Sequence, residues 1–190
     1  AGSCHFGTKQ FNWRRRKADP FAEAEWLSVA WAFEKYAGVD LLATLNGNES
    51  DRDALAKQCP VQFTDRDSWS DIFSRILVEK VEPNLGNGAV TVLYEYPAVE
   101  AALARVCTHD PRVSERFELY ACGVELANGF GELTDPIEQR RRFEAEMNLK
   151  EQLYGERYPV DEELLKALSL MPPASGVALG LDRLIMLATG

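Results

Sequence analysis

Two runs of alternating residues, 114–121 and 123–132, meet at Gly123 and constrain this chain more than any other feature. Period-two alternation on both sides of a glycine is the pattern of a β-hairpin, and a hairpin commits the fold to an antiparallel sheet. Three carboxylates interrupt these apolar runs: Glu118, Glu125 and Glu132. An acidic side chain inside an apolar strand is costly unless something positive meets it. Glu118 and Glu125 fall on adjacent arms, where opposed carboxylates repel. A divalent cation, or the ammonium group of a ligand, would turn that repulsion into attraction. Solvated charges on a sheet face are the other reading the pattern allows.

The hairpin is flanked by helical patterns. Asp19 and Pro20 suit a helix start, Phe21, Trp26, Val29, Ala30, Phe33 and Tyr36 follow near helical spacing, and Gly38 suits its end. A second helix is predicted from Asn48 or Ser50 to about Lys57. A third, from near Thr64, buries Trp69, Ile72, Phe73, Ile76 and Leu77 before Pro83. Residues 84–88 read as a turn and Ala89 to Tyr96 as a strand. Asp135 and Pro136 open a charged helix to about Tyr154, whose Arg140, Arg141 and Arg142 read as a solvated face. Asp161 caps a helix reaching Leu170, residues 177–181 form a short strand, and Asp182 begins a last helix. Hairpin-joined strands among helices predict an α+β fold, an antiparallel sheet flanked by helices. The first 17 residues, ending in the basic run Arg14 to Lys17, read as a flexible tail, and residues 18–190 as one domain.

Charge and cysteine usage exclude several functions. Lys and Arg number 21 against 30 Asp and Glu, a formal net charge of −9, which disfavours a free-standing nucleic-acid binder. No apolar run approaches the roughly 18–20 residues of a membrane-spanning helix. Cys4, Cys59, Cys107 and Cys122 are scattered, and His5 and His109 are the only histidines, so a zinc site is not expected. Cys107 and His109 stand two residues apart, which by itself is weak grounds for a Cys–His nucleophile. Reduced thiols predict a cytoplasmic protein.

The carboxylates gain meaning beside two further segments. Residues 116–120 read Arg-Phe-Glu-Leu-Tyr, residues 123–133 Gly-Val-Glu-Leu-Ala-Asn-Gly-Phe-Gly-Glu-Leu, and Gln139 to Phe143 supply Gln-x-x-Arg-Phe. Residues 175–184, Ser-Gly-Val-Ala-Leu-Gly-Leu-Asp-Arg-Leu, complete the order. This series resembles the later part of the catalytic domain of class II lysyl-tRNA synthetases, and more closely the short paralogues that attach β-lysine to elongation factor P. Ala178 stands where the synthetases usually carry Gly and the elongation factor ligases Ala. The resemblance implies a class II synthetase-like antiparallel sheet. It also implies ATP and Mg²⁺ as cofactors, a lysine-type amino acid as substrate and elongation factor P as acceptor. Glu118 and Glu125 would hold Mg²⁺ on ATP, with Asn128 in support, and Gly180 and Arg183 would meet the nucleotide, the arginine at its terminal phosphates. Glu132 would pair with the substrate ammonium, and Gly176 and Ala178 would line the floor. The family's earlier Arg-x-Glu motif, dimer-forming helix and anticodon-binding barrel find no match here. The fold is therefore expected to be incomplete on its N-terminal side, with a homodimer left open. A synthetase-like module that binds without catalysing is the alternative.

Overall fold

The computed structural model describes residues 9–101 and 103–190, apart from the side chain of Leu153. Its centre is a five-stranded sheet whose strands lie in the order β10 (Ser175–Leu179), β9 (Val124–Gly131), β8 (Val113–Ala121), β7 (Thr91–Pro97) and β3 (Glu25–Ser28). The predicted hairpin forms its middle, as β8 (Val113–Ala121) and β9 (Val124–Gly131), antiparallel and joined through Cys122 and Gly123. β7 (Thr91–Pro97) lies antiparallel on the far side of β8, and β10 (Ser175–Leu179) antiparallel on β9. The α+β class and antiparallel character follow the sequence expectation, except at one edge. There β3 (Glu25–Ser28) runs parallel to β7, where the sequence pattern predicted helix.

That strand moves the first helix. Asp19 does not cap it; its carboxylate accepts the Phe21 N–H at 2.8 Å. The helix α1 (Val29–Ala37) starts instead at Ser28, whose hydroxyl accepts the Trp31 N–H, and ends at left-handed Gly38. Trp26, predicted to be core, points outward with 67% of its surface exposed, because the strand alternates where a helix would not. The short pair β4 (Leu45–Asn46) and β5 (Glu49–Ser50) precedes α2 (Arg52–Gln58), capped by Asp51. The helix α3 (Trp69–Ile76) is capped by Ser68 in a reciprocal Ser68–Asp71 capping box, and its first residue comes five after the predicted start near Thr64. Phe33, Phe73 and Trp69 stack in series, with ring centroids 5.0 and 5.1 Å apart. They fill a core with Leu27, Leu93, Tyr96 and Tyr120 from one sheet face.

Of the expected tail, residues 1–8 lie outside the described residues, and residues 11–17 form strands and a turn. β1 (Phe11–Trp13) and β2 (Arg16–Asp19) form an antiparallel hairpin, and β2 continues parallel to β6 (Gly88–Ala89). Arg14 and Arg15 are its two turn residues, both with positive φ, so the basic run is a tight turn. Alternation hidden among basic residues is what the sequence reading missed. Phe11 and Ala18 pack with Leu126, Leu187 and Ala188 in a second core. That core also seats the last helix, α6 (Leu181–Thr189). Between β9 and β10 run α4 (Pro136–Tyr154), capped by Asp135, and α5 (Glu162–Leu168), capped by Asp161, close to the predicted bounds. Arg142 is not on a solvated face: it is buried and donates to the carbonyls of Ala101 and Ala104 at 2.7 and 3.0 Å. Among the described residues no helix is long and apolar enough to cross a membrane.

Candidate active site

The three predicted carboxylates, Asn128 and the small residues of β10 come together on one sheet face. Directly opposed residues in neighbouring antiparallel strands share a face. Glu118 opposes Asn128, and Asn128 opposes Ala178, so these three form one row across β8, β9 and β10. The next row holds Arg116, Phe130 and Gly176. Glu118 therefore does not oppose Glu125, as the sequence pattern implied; Tyr120 does.

Glu125 reaches this face only because β9 bulges. In a regular strand residues 125 and 128 point to opposite sides. Leu126 is an extra residue between the Leu119–Ala127 and Tyr120–Glu125 pairs, and it restores Glu125 to the side of Asn128. Leu126 itself is buried in the second core, and its carbonyl accepts the N–H of Gly180 at 2.8 Å. One irregularity thus aims Glu125 and ties the strand to the start of α6. Arg183, in the first turn of that helix, donates through Nη1 to the Glu125 carbonyl at 2.9 Å and to its carboxylate at 3.1 Å.

Glu118 is 6% exposed and fully partnered. Its Oε2 accepts the hydroxyls of Tyr96 and Tyr120 at 2.5 and 2.6 Å. Its Oε1 accepts Nη2 of Arg116 at 2.7 Å and Nδ2 of Asn128 at 3.2 Å. Burial, with the adjacent carboxylate adding to it, pushes both phenols up, so both remain donors. Asn128 Oδ1 is buried and has no donor. An orphaned acceptor beside two carboxylates fits a hard cation, which takes oxygen ligands. Among the described residues, however, no group of three or more His, Cys, Asp or Glu side chains is gathered tightly enough to hold a metal ion.

Sequence reasoning missed Glu82. It lies just before Pro83, in no strand or motif, and only the fold brings it beside the site, where Tyr120 Oη stands 3.3 Å from its carboxylate. Burial pushes its carboxyl up, and the charges of Glu118 and Glu125 act in the same direction against the Tyr120 hydrogen bond and Arg183. Tyr96 likewise carries no signal in the sequence beyond its place in a predicted strand.

At the other end of the sheet, Glu132 follows β9 and its carboxylate lies over Gly176. A Cβ built on Gly176 would stand 2.5 Å from Glu132 Oε1, so only glycine leaves that carboxylate its place. Gly180 is the N-cap of α6 rather than a strand residue beside Gly176 and Ala178. The Cys107–His109 pairing is not formed: His109 Nε2 stands 3.1 Å from Glu95, and burial with nearby carboxylates pushes the Cys107 thiol up to about 11. Such a thiol is no nucleophile. Cys4 and His5 lie outside the described residues.

Comparison with known proteins follows the same residues. The sequence model of class II tRNA synthetases (D, K and N) matches residues 30–190, from the first turn of α1 to the end of α6, and so includes Glu82, Tyr96, Glu118, Glu125, Asn128, Glu132, Gly176 and Arg183. The chain belongs to the class II tRNA synthetase family. It is also similar to proteins from two strains of Histophilus somni, 2336 and 129Pt, each named elongation factor P–(R)-β-lysine ligase. Identity to each is 39% over 168 residues, which is 88% of this chain and 51% of theirs. The chain thus spans about half the length of these relatives.

Proposed function

We propose that this chain carries nucleotide- and amino-acid-binding machinery of a cytoplasmic, ATP-dependent ligase. Its reaction activates lysine or β-lysine as an adenylate and passes it to a lysine side chain of elongation factor P. The observation that carries this reading is the shared face of Glu118, Asn128 and Ala178, with Glu125 and Arg183 at one end and Glu132 over Gly176 at the other. Glu118 and Glu125 would hold Mg²⁺, supported by Asn128; Gly180 and Arg183 would meet the nucleotide. Glu132 would take the substrate ammonium over the floor made by Gly176 and Ala178. A substrate carboxylate attacking a phosphate brings like charges together. Bound Mg²⁺ supplies charge neutralisation, and the Arg183 guanidinium adds a fixed cation of its own. Attack needs no protein nucleophile, in keeping with the inert Cys107.

ATP–pyrophosphate exchange on the purified chain, with Mg²⁺ and lysine or β-lysine, tests this. Exchange that depends on the amino acid supports the ligase, and absence of both exchange and ATP binding overturns it. The full hydrogen-bond partnering of Glu118 favours one second reading, a module that binds nucleotide, amino acid or a partner protein without forming adenylate. Binding without exchange would support that module instead.

A further inference from the structure

The side chains behind Glu118 are arranged unequally. Its carboxylate has about four acceptor positions, and all four are used. On Oε1 the partners are Arg116 and a longer contact from Asn128 at 3.2 Å, whose own Oδ1 lacks a partner. On Oε2 they are two phenols at 2.5 and 2.6 Å. Tyr96 and Tyr120 are each 1% exposed, so neither can touch a nucleotide or an amino acid. Phenylalanine would fill the same space without a polar atom to satisfy, so packing alone does not call for two hydroxyls. Tyr96, moreover, reaches Glu118 only through a second irregularity. Glu95 takes a left-handed conformation with φ 59, and the register shifts there, bringing Tyr96 opposite Ser114 on the face of Glu118. A non-glycine residue held at positive φ is strained, and such strain gathers where a side chain must be aimed.

We propose that Tyr96 and Tyr120 are positioning residues for Glu118. Their hydroxyls fix Oε2, so that the carboxylate meets a divalent cation through Oε1 alone, on the side of Asn128. Asn128 Nδ2 is the donor that yields, being the most distant of the four. The inference rests on the metal-holding role proposed above for Glu118. Outer partners that orient a ligating carboxylate typically contribute about 10–100-fold to metal affinity.

The test is calorimetric titration of ATP into the full chain, with Mg²⁺ and with EDTA, for the parent, Tyr96→Phe and Tyr120→Phe. The expected result is ATP affinity in EDTA equal within about twofold in all three proteins. The gain in affinity from Mg²⁺ should fall by about tenfold or more in each variant. An undiminished gain overturns the inference and leaves the ligase reading standing. Equal loss with and without Mg²⁺ assigns the hydroxyls to the fold and also overturns it. If the parent itself gains nothing from Mg²⁺, the metal role of Glu118 falls, and this inference with it. Should one variant lose cooperative unfolding, the other decides, since the two phenols arrive from different strands.

Discussion

At the scale of single residues, the amino-acid end of the site can be separated from its phosphate end. Glu132 lies four residues from Asn128 along β9, about 13 Å at strand spacing. Glu132→Gln is expected to leave ATP affinity unchanged and to weaken lysine-type ligands by roughly 1.5–3 kcal/mol, the contribution of a hydrogen bond to a charged group. Gly176→Ala should have the same selectivity for a steric reason. The added methyl would stand 2.5 Å from Glu132 Oε1, and the carboxylate can swing away at little cost to the fold. Calorimetry with ATP and with lysine on both variants checks this; parallel loss of both ligands would contradict the separate roles. Glu118, Glu125 and Glu132 were each legible in the sequence, because a carboxylate in an apolar strand violates the pattern around it; Asn128 was legible only through the family resemblance. Glu82 and Tyr96 were not, since neither violates its own surroundings.

At the scale of elements, two irregularities do what regular strands cannot: β9 carries an extra residue at Leu126, which aims Glu125, and left-handed Glu95 of β7 stands against two residues of β8, Glu115 and Arg116, which aims Tyr96. Left-handed backbone costs about 1–2 kcal/mol for a residue with a Cβ. Glu95→Gly should therefore stabilise the fold by up to about 1 kcal/mol in denaturant unfolding, allowing for glycine's greater chain entropy. Glu95→Val, β-branched, should destabilise it by about 1–2 kcal/mol. The reverse order would mean that the bulge carries no strain. The helix α4 makes a pH prediction. Hydrogen bonds from Arg141, and then Arg142, hold the Glu138 carboxyl down at about 2, against an ordinary 4.5. A carboxyl depressed by folding contributes stability above its unfolded value and loses it as pH falls through the folded one. Stability should thus decline between about pH 4.5 and pH 2, and Glu138→Gln should flatten that part of the acid limb in thermal melts. An unchanged limb would remove Glu138 from the anchoring of α4.

At the scale of the whole molecule, the two faces of the central sheet differ in kind. One face carries the site and, under β3 and β7, the core helices. The other presents Trp26, Val177 and Leu179 to solvent beside Tyr94 and Phe117. Contiguous apolar surface of this sort binds apolar dyes. An environment-sensitive dye should therefore fluoresce with the native protein, and Val177→Lys should reduce the signal while leaving unfolding within about 0.5 kcal/mol of the parent. Equal fluorescence in both proteins would show that the dye reads some other surface.

The sequence by itself determined the α+β class, the hairpin about Gly123, the capped helices at Asp135 and Asp161, and the identity of the carboxylates. These depend on local periodicity and on caps, which neighbouring residues specify. Tertiary structure decided the rest. Residues 25–28 pair with β7 although their spacing also suits a helix, because the edge of a sheet offers hydrogen bonds that a local pattern does not register. The basic run at Arg14 to Arg16 closes a hairpin that the second core holds in place. Which carboxylate faces which partner turned on single-residue register shifts, one between β7 and β8 and one between β8 and β9. A shift of one residue changes which side chains share a face beyond it, and only the packing of the strands against their neighbours settles where it falls.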